Sequence, residues 1–208
     1  MGQYYKPLLI HEDGTERAAY SHAFDNGLKL MEHSWIGNNF VNAVLNEIKD
    51  NPTRLAWLGD YSDSAVVNKC NLGDGFITSA SEFQKRYRSV WGDESDGIYV
   101  SYIDPDEPQF HLDMDHTECY LVNCTKQCYV DMEQYVKQNS LGRRYGSSEL
   151  WCINPLPLLT CVGNGLGGGD YRGEKGINDV GSWAFDKVYI TYLRPGKWTE
   201  VMYSFQEQ

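Results

Sequence analysis

The sequence predicts an α+β fold, a mainly antiparallel sheet with about two helices, built as one domain over residues 1–208. Three observations lead there. Short apolar runs rich in β-branched and aromatic residues outnumber stretches with helical spacing. The segments between them are short enough for antiparallel neighbours, and no tandem repeat or flexible linker divides the chain. With 41% hydrophobic residues, including 15 Tyr, 7 Phe and 6 Trp, a chain of this length buries a sizeable core without a covalent staple.

Gln3 to Ile10 reads as a strand that turns at His11-Glu12-Asp13-Gly14 and returns over Thr15 to His22, an N-terminal hairpin signalled by Asp-Gly. Gly27 to Trp35 fits either helix or strand. Ile36, Phe40, Val41, Val44, Leu45 and Ile48 recur on one helical face, and Asn51-Pro52 ends that helix. Arg54 to Leu58 is a short apolar strand leaving through Gly59-Asp60-Tyr61. A second helix is expected from Ser81 to Trp91, with Ser81 as N-cap and Phe83, Tyr87 and Val90 on its apolar face.

Ile98 to Ile103 reads as a strand, followed by an acidic loop marked by Pro105 and Pro108. Glu118 to Val122 and Cys128 to Val136 are expected to pair across Asn123 to Gln127. Residues 138–149 read as a polar loop. Leu156 to Val162 is expected to be a buried strand, with a loop from Gly163 to Gly169 after it. Trp183 to Leu193 and Thr199 to Phe205 close the chain as an expected hairpin across Arg194-Pro195-Gly196.

The formal charge of −11 is concentrated in one segment. Asp93, Glu94, Asp96, Asp104, Asp106, Glu107, Asp113, Asp115 and Glu118 occur between positions 93 and 118 without a Lys or Arg, while the remainder carries 20 acids against 18 bases. Such a chain repels phosphate backbones, so direct nucleic-acid binding is disfavoured and a basic protein surface is the expected partner of the first eight of these acids. No run reaches the ~18 apolar residues that a membrane span needs, and the opening MGQYYKPLLIHEDG lacks a signal-peptide layout. A cytoplasmic setting is expected, with Cys70, Cys119, Cys124, Cys128, Cys152 and Cys161 as reduced thiols.

Neither a metal nor a cofactor is expected. His111-Leu-Asp113-Met-Asp115-His116 is similar to the metal-binding run of metallo-β-lactamases, but no histidine follows His116 to complete such a site. Cys119, Cys124 and Cys128 lack the C-x2-C spacing of a zinc knuckle. Gly163 to Gly168 spells G-x-G-x-x-G, yet the residues after it are poor helix formers and cannot aim a helix N-terminus at a pyrophosphate.

One internal echo remains. Leu58-Gly59-Asp60-Tyr61 and Gly168-Gly169-Asp170-Tyr171 each leave an apolar segment through Gly-Asp-Tyr. If the two strands are neighbours, Asp60 and Asp170 form a carboxylate pair, with Arg172, Trp183 and Asp186 as expected neighbours. As a loop carboxylate, Asp170 is expected to contribute little to packing.

Met1-Gly-Gln-Tyr-Tyr, Lys29-Leu-Met-Glu-His-Ser, Trp57-Leu-Gly-Asp-Tyr, Tyr120-Leu-Val-Asn, Pro155-Leu-Pro-Leu-Leu-Thr, Gly163-Asn-Gly, Gly167-Gly-Gly-Asp-Tyr and Val180-Gly-Ser-Trp-Ala span nearly the whole chain. Together they resemble a family of small hypothetical proteins of bacteria, their mobile elements and phages. The resemblance implies a microbial or phage setting and transfers no catalytic residue. With the charge pattern, it leads to the expectation of an acidic protein-binding module, an inhibitor of a host defence nuclease acting by nucleic-acid mimicry. The alternative is a small-ligand-binding protein or hydrolase built on the glycine-rich loop, using Asp60, Tyr61, Gly168, Gly169, Asp170, Arg172, Trp183 and Asp186.

Overall fold

The computed structural model describes residues 2–62, 72–92, 100–107, 117–142 and 150–206. Among them the chain forms a mixed α/β fold of nine strands and five α-helices. The strands are β1 (Tyr5–Ile10), β2 (Glu16–Ala18), β3 (Thr53–Gly59), β4 (Ser101–Tyr102), β5 (Tyr120–Asn123), β6 (Cys128–Asp131), β7 (Cys161–Val162), β8 (Lys187–Thr191) and β9 (Thr199–Glu200). The helices are α1 (Leu30–His33), α2 (Asn39–Glu47), α3 (Ala80–Trp91), α4 (Met132–Asn139) and α5 (Pro155–Thr160).

One sheet in the order β4-β2-β1-β3-β8-β5-β6-β9 organises the molecule, and β7 joins it beside β3. Pairing is mixed. β1 is antiparallel to β2 and β3, and β8 to β3 and β5, whereas β4, β7 and β9 pair parallel with β2, β3 and β6. The expectation of a mainly antiparallel sheet with two helices therefore describes only part of the fold.

Both faces of the central strands are buried, which explains their continuous apolar runs. Leu9, Leu55 and Trp57 face one core with Phe40 and Val44 of α2, Ile48 just after it, Tyr135 of α4 and Leu156 of α5. Leu8, Ile10, Ala56 and Leu58 face a second core with Phe83 and Val90 of α3. Helices thus cover the sheet on either side.

α2 forms where its apolar spacing predicts, and Asn38 caps it by accepting from the amides of Phe40 and Val41 at 3.0 and 3.2 Å. α3 is capped by Ser79 rather than Ser81, because the Ser79 hydroxyl meets the Glu82 amide. Segment 27–35 resolves into α1 at its centre.

Three expected strands are corrected. Leu156–Val162 is helical over its first part: Asn154 accepts from the Leu156 amide at 3.0 Å, and the prolines at 155 and 157 fall in the first turn, where no amide donor is needed. Cys128–Val136 divides at Asp131, whose carboxylate caps α4 through the Gln134 amide at 3.1 Å. The closing hairpin does not form, because β8 is already paired on both edges and β9 lies against β6. Segments 98–99 and 143–149 lie outside the described residues.

Of the acidic segment, Asp93, Glu94, Asp96, Asp113 and Asp115 lie outside the described residues, as do His111, His116 and Cys70. Asp104 and Asp106 are exposed on a turn. Glu107 is not an uncompensated charge: Arg17 of β2 donates to it at 2.5 Å and to both oxygens of Glu47 at 2.9 Å. This bridge ties β2, α2 and the acidic turn together. Glu47 is held below the usual carboxylate range because hydrogen bonds from His11 and Arg17 outweigh the cost of burial. Its contribution to stability is therefore present above the ordinary carboxylate value and lost as pH falls through the lowered one. Arg17→Met is expected to cost about 2–3 kcal/mol in denaturant unfolding at neutral pH, and less in acid where Glu47 is protonated.

Candidate functional site

The site begins at the end of β3. Trp57 and Leu58 pair parallel with Cys161 and Val162, so β3 and β7 leave the sheet on the same side. β1 runs antiparallel to β3 with Tyr5 opposite Gly59, which brings the start of β1 to the same place. Three chain segments thus converge: residues 3–5, 59–61 and 163–172.

Asp60 and Asp170 are both at this end of the sheet. Asp60 serves the backbone, its carboxylate accepting from the Tyr4 amide at 2.9 Å while its own amide donates to the Tyr4 carbonyl at 2.9 Å. Asp170 is only 8% exposed. One of its oxygens accepts from the Tyr5 hydroxyl at 2.7 Å and the other from the Gly167 amide at 2.8 Å. It therefore fastens the glycine-rich loop to β1, contrary to the expectation of a loop carboxylate with little packing.

Glycine is needed in this loop for close approach. A Cβ on Gly163 would lie 2.2 Å from the Tyr5 hydroxyl, and one on Gly167 would lie 2.3 Å from the Gln3 Cβ. Three of the loop's amides are turned inward. The Asn164 amide donates to Gln3 Oε1 at 3.3 Å, the Leu166 amide to Asn164 Oδ1 at 2.8 Å, and the Gly167 amide to Asp170.

Between this loop and residues 177–181 is an open cavity of about 290 Å³. Tyr5, Asn164 and Asp170 give it a polar side, and Leu30, Leu72, Val162, Ile177 and Val180 give it apolar walls. Its size is at the lower end of the ~300–1,000 Å³ typical of small-molecule sites.

Electrostatics set the character of the site. Burial pushes Asp170 above the usual carboxylate range, and nearby Asp60 adds to the shift; the bonds from Tyr5 and Gly167 and the charge of Arg172 oppose it. The Tyr5 hydroxyl is raised by burial, then by Cys161 and Asp170. Burial pushes the Cys161 thiol up to about 12, with Asp170 adding to it, so this cysteine is no thiolate nucleophile at neutral pH. Cys124, Cys128, Cys152 and Cys161 are free thiols.

The other candidates divide. Arg172 reaches the loop, its guanidinium donating to the carbonyls of Leu166 and Gly167 at 3.3 Å each. Gly168 bridges to Gly2, and the Gly169 carbonyl accepts from the Met31 amide at 3.0 Å, so both hold the loop in place. Tyr61 is exposed beside the site. Trp183 and Asp186 do not join it. Trp183 is fully buried and donates to the Tyr203 hydroxyl at 2.9 Å. Asp186 lies beside the first half of β3, where it accepts from Asn123 at 2.7 Å and faces Lys126 at 3.4 Å. The fully buried His33 is a core histidine, accepting from the Trp57 indole at 3.0 Å and pushed down to about 4 by burial.

Sequence reasoning missed Gln3, Tyr5, Ile177 and Val180. Gln3 was the available signal, since a polar residue sharing a strand face with Tyr5 in an otherwise apolar segment needs a partner when buried. No helix among the described residues is long and apolar enough to cross a membrane. Comparison with protein-family models, curated proteins and solved structures gives no match.

Because the pKa of Asp170 is raised, its ionised form is disfavoured in the folded state. The stability linked to this group is therefore greatest in acid, below the unfolded value, and declines as pH rises through the folded one. Tyr5→Phe removes a bond to the ionised carboxylate. It is expected to cost about 1.5–3 kcal/mol at neutral pH, less in acid, and to raise the Asp170 pKa further. Carboxyl-carbon NMR titration of both proteins, with unfolding at neutral and acid pH, checks this. An unmoved Asp170 titration would show that the tyrosine does not stabilise the charge.

Proposed function

We propose that this protein binds a small molecule in the cavity at the ends of β3 and β7. The observation that carries the reading is a nine-tenths-buried carboxylate, Asp170, fixed by two hydrogen bonds on the wall of an otherwise largely apolar cavity. Few convergent polar groups set among apolar walls is the usual composition of a ligand site. Binding is favoured over catalysis because the nearest thiol, Cys161, is protonated and buried, and the core histidine is engaged elsewhere.

Ligand-observed NMR screening of a small-molecule library tests the reading. Hits should perturb the methyl groups of Ile177 and Val180, and Ile177→Trp should abolish them while leaving the fold intact, since Ile177 is 44% exposed at the cavity mouth. Hits that survive this substitution, or perturb other methyl groups only, would place binding elsewhere.

Protein binding through the acidic segment is a second proposal, favoured by the exposure of Asp104 and Asp106. It envisages a basic nucleic-acid-binding protein, such as a host defence nuclease, as the partner. Asp104→Lys with Asp106→Lys should slow association with a partner recovered from the host at least tenfold in low salt, because rim charges act mainly on encounter rate. An unchanged rate would end this reading.

A further inference from the structure

We propose that the ligand is a small organic cation, a primary or secondary amine with an apolar body, whose ammonium group docks on Asp170. This rests on the ligand-binding reading above and specifies its chemistry. The glycine-rich loop invites comparison with phosphate-binding loops, which work by aiming unpaired backbone amides at an anion. Here the amides of Asn164, Leu166 and Gly167 already donate to Gln3, Asn164 and Asp170. A carboxylate, Asp170, lines the cavity beside these amides and would repel an anion there.

The cavity's charge has the opposite sign. Among the described residues that line it there is no Lys, Arg or His, and Asp170 is its one carboxylate. The Tyr5 and Gly167 bonds use two of the roughly four lone-pair directions of an ionised carboxylate, so further donors find acceptor capacity. Asp60 adds negative potential to Asp170, and Arg172 offsets part of it from the loop carbonyls. A buried carboxylate gains most from a ligand that supplies both charge and donors, while Leu72, Val162, Ile177 and Val180 provide an apolar surface for its body.

Three probes of one shape separate the chemistries: cyclohexylamine, cyclohexanol and cyclohexanecarboxylate, titrated by calorimetry and by methyl NMR. The amine should bind at least about tenfold tighter than the alcohol, with shifts at Ile177 and Val180, and the carboxylate should not bind. Asp170→Asn should remove the amine's advantage over the alcohol. The comparison of probes on the unaltered protein stands even if that variant folds poorly. An amine no tighter than the alcohol, or a carboxylate that binds at the same methyl groups, overturns the cation assignment while the cavity reading stands. If none of the three moves those resonances, both fall.

Discussion

β3 is covered on both faces, so its backbone polar groups have no water to meet and must be satisfied by neighbouring strands. β1 serves one edge along its length, from Tyr5 opposite Gly59 to Ile10 opposite Arg54. The other edge is shared. β8 pairs with Thr53 and Arg54, and β7 with Trp57 and Leu58. A single strand along that whole edge would carry the sheet on without a break. Because β8 continues toward β5, the short β7 completes the ladder and then releases its chain beside Asp60. The cavity exists because two strands divide one edge.

The same constraint determines the electrostatics. β7 is only two residues long and passes directly into the glycine-rich loop, which side chains anchor. Asp170 does this by accepting from β1 through Tyr5 and from its own loop through Gly167. Anchoring requires burial, and burial raises the carboxylate's pKa even though both bonds oppose the shift. The residue that holds the loop is thereby also one whose charge is poorly solvated.

How far this was legible in the sequence depended on whether the signal was local. The apolar face from Ile36 to Ile48 predicts α2 because period and cap lie within a dozen residues, and the runs in β1 and β3 announce strands buried on both faces. Pro155-Leu-Pro-Leu-Leu-Thr misled because all six residues are buried, which erases the helical periodicity and leaves a run that reads as a strand. The capping Asn154 with Pro at the first helical position was the better signal. β9 was misassigned because its partner is decided by β8 being taken on both edges, a fact no local window contains. The convergence of Asp60 with Asp170 was suggested by the repeated Gly-Asp-Tyr. The placement of Asp186 beside Asn123 was not, since it follows from the register of β8.

The repeated tripeptide also shows how far sequence identity falls short of chemical identity. At the first copy Asp60 is partly exposed and engages the Tyr4 backbone, and Tyr61 points outward. At the second, Asp170 and Tyr171 are both buried, and the Tyr171 hydroxyl accepts from the Gln206 amide and donates to the Lys175 carbonyl. The two copies are not a symmetric acid pair. One carboxylate closes a strand end, whereas the other is held on a cavity wall against its own preference for water. Of two carboxylates sharing a neighbourhood, the one with the larger desolvation cost gains more from a positively charged partner. The asymmetry that burial creates between Asp60 and Asp170 therefore makes Asp170 the centre of the proposed recognition, and Asp60 a contributor of field.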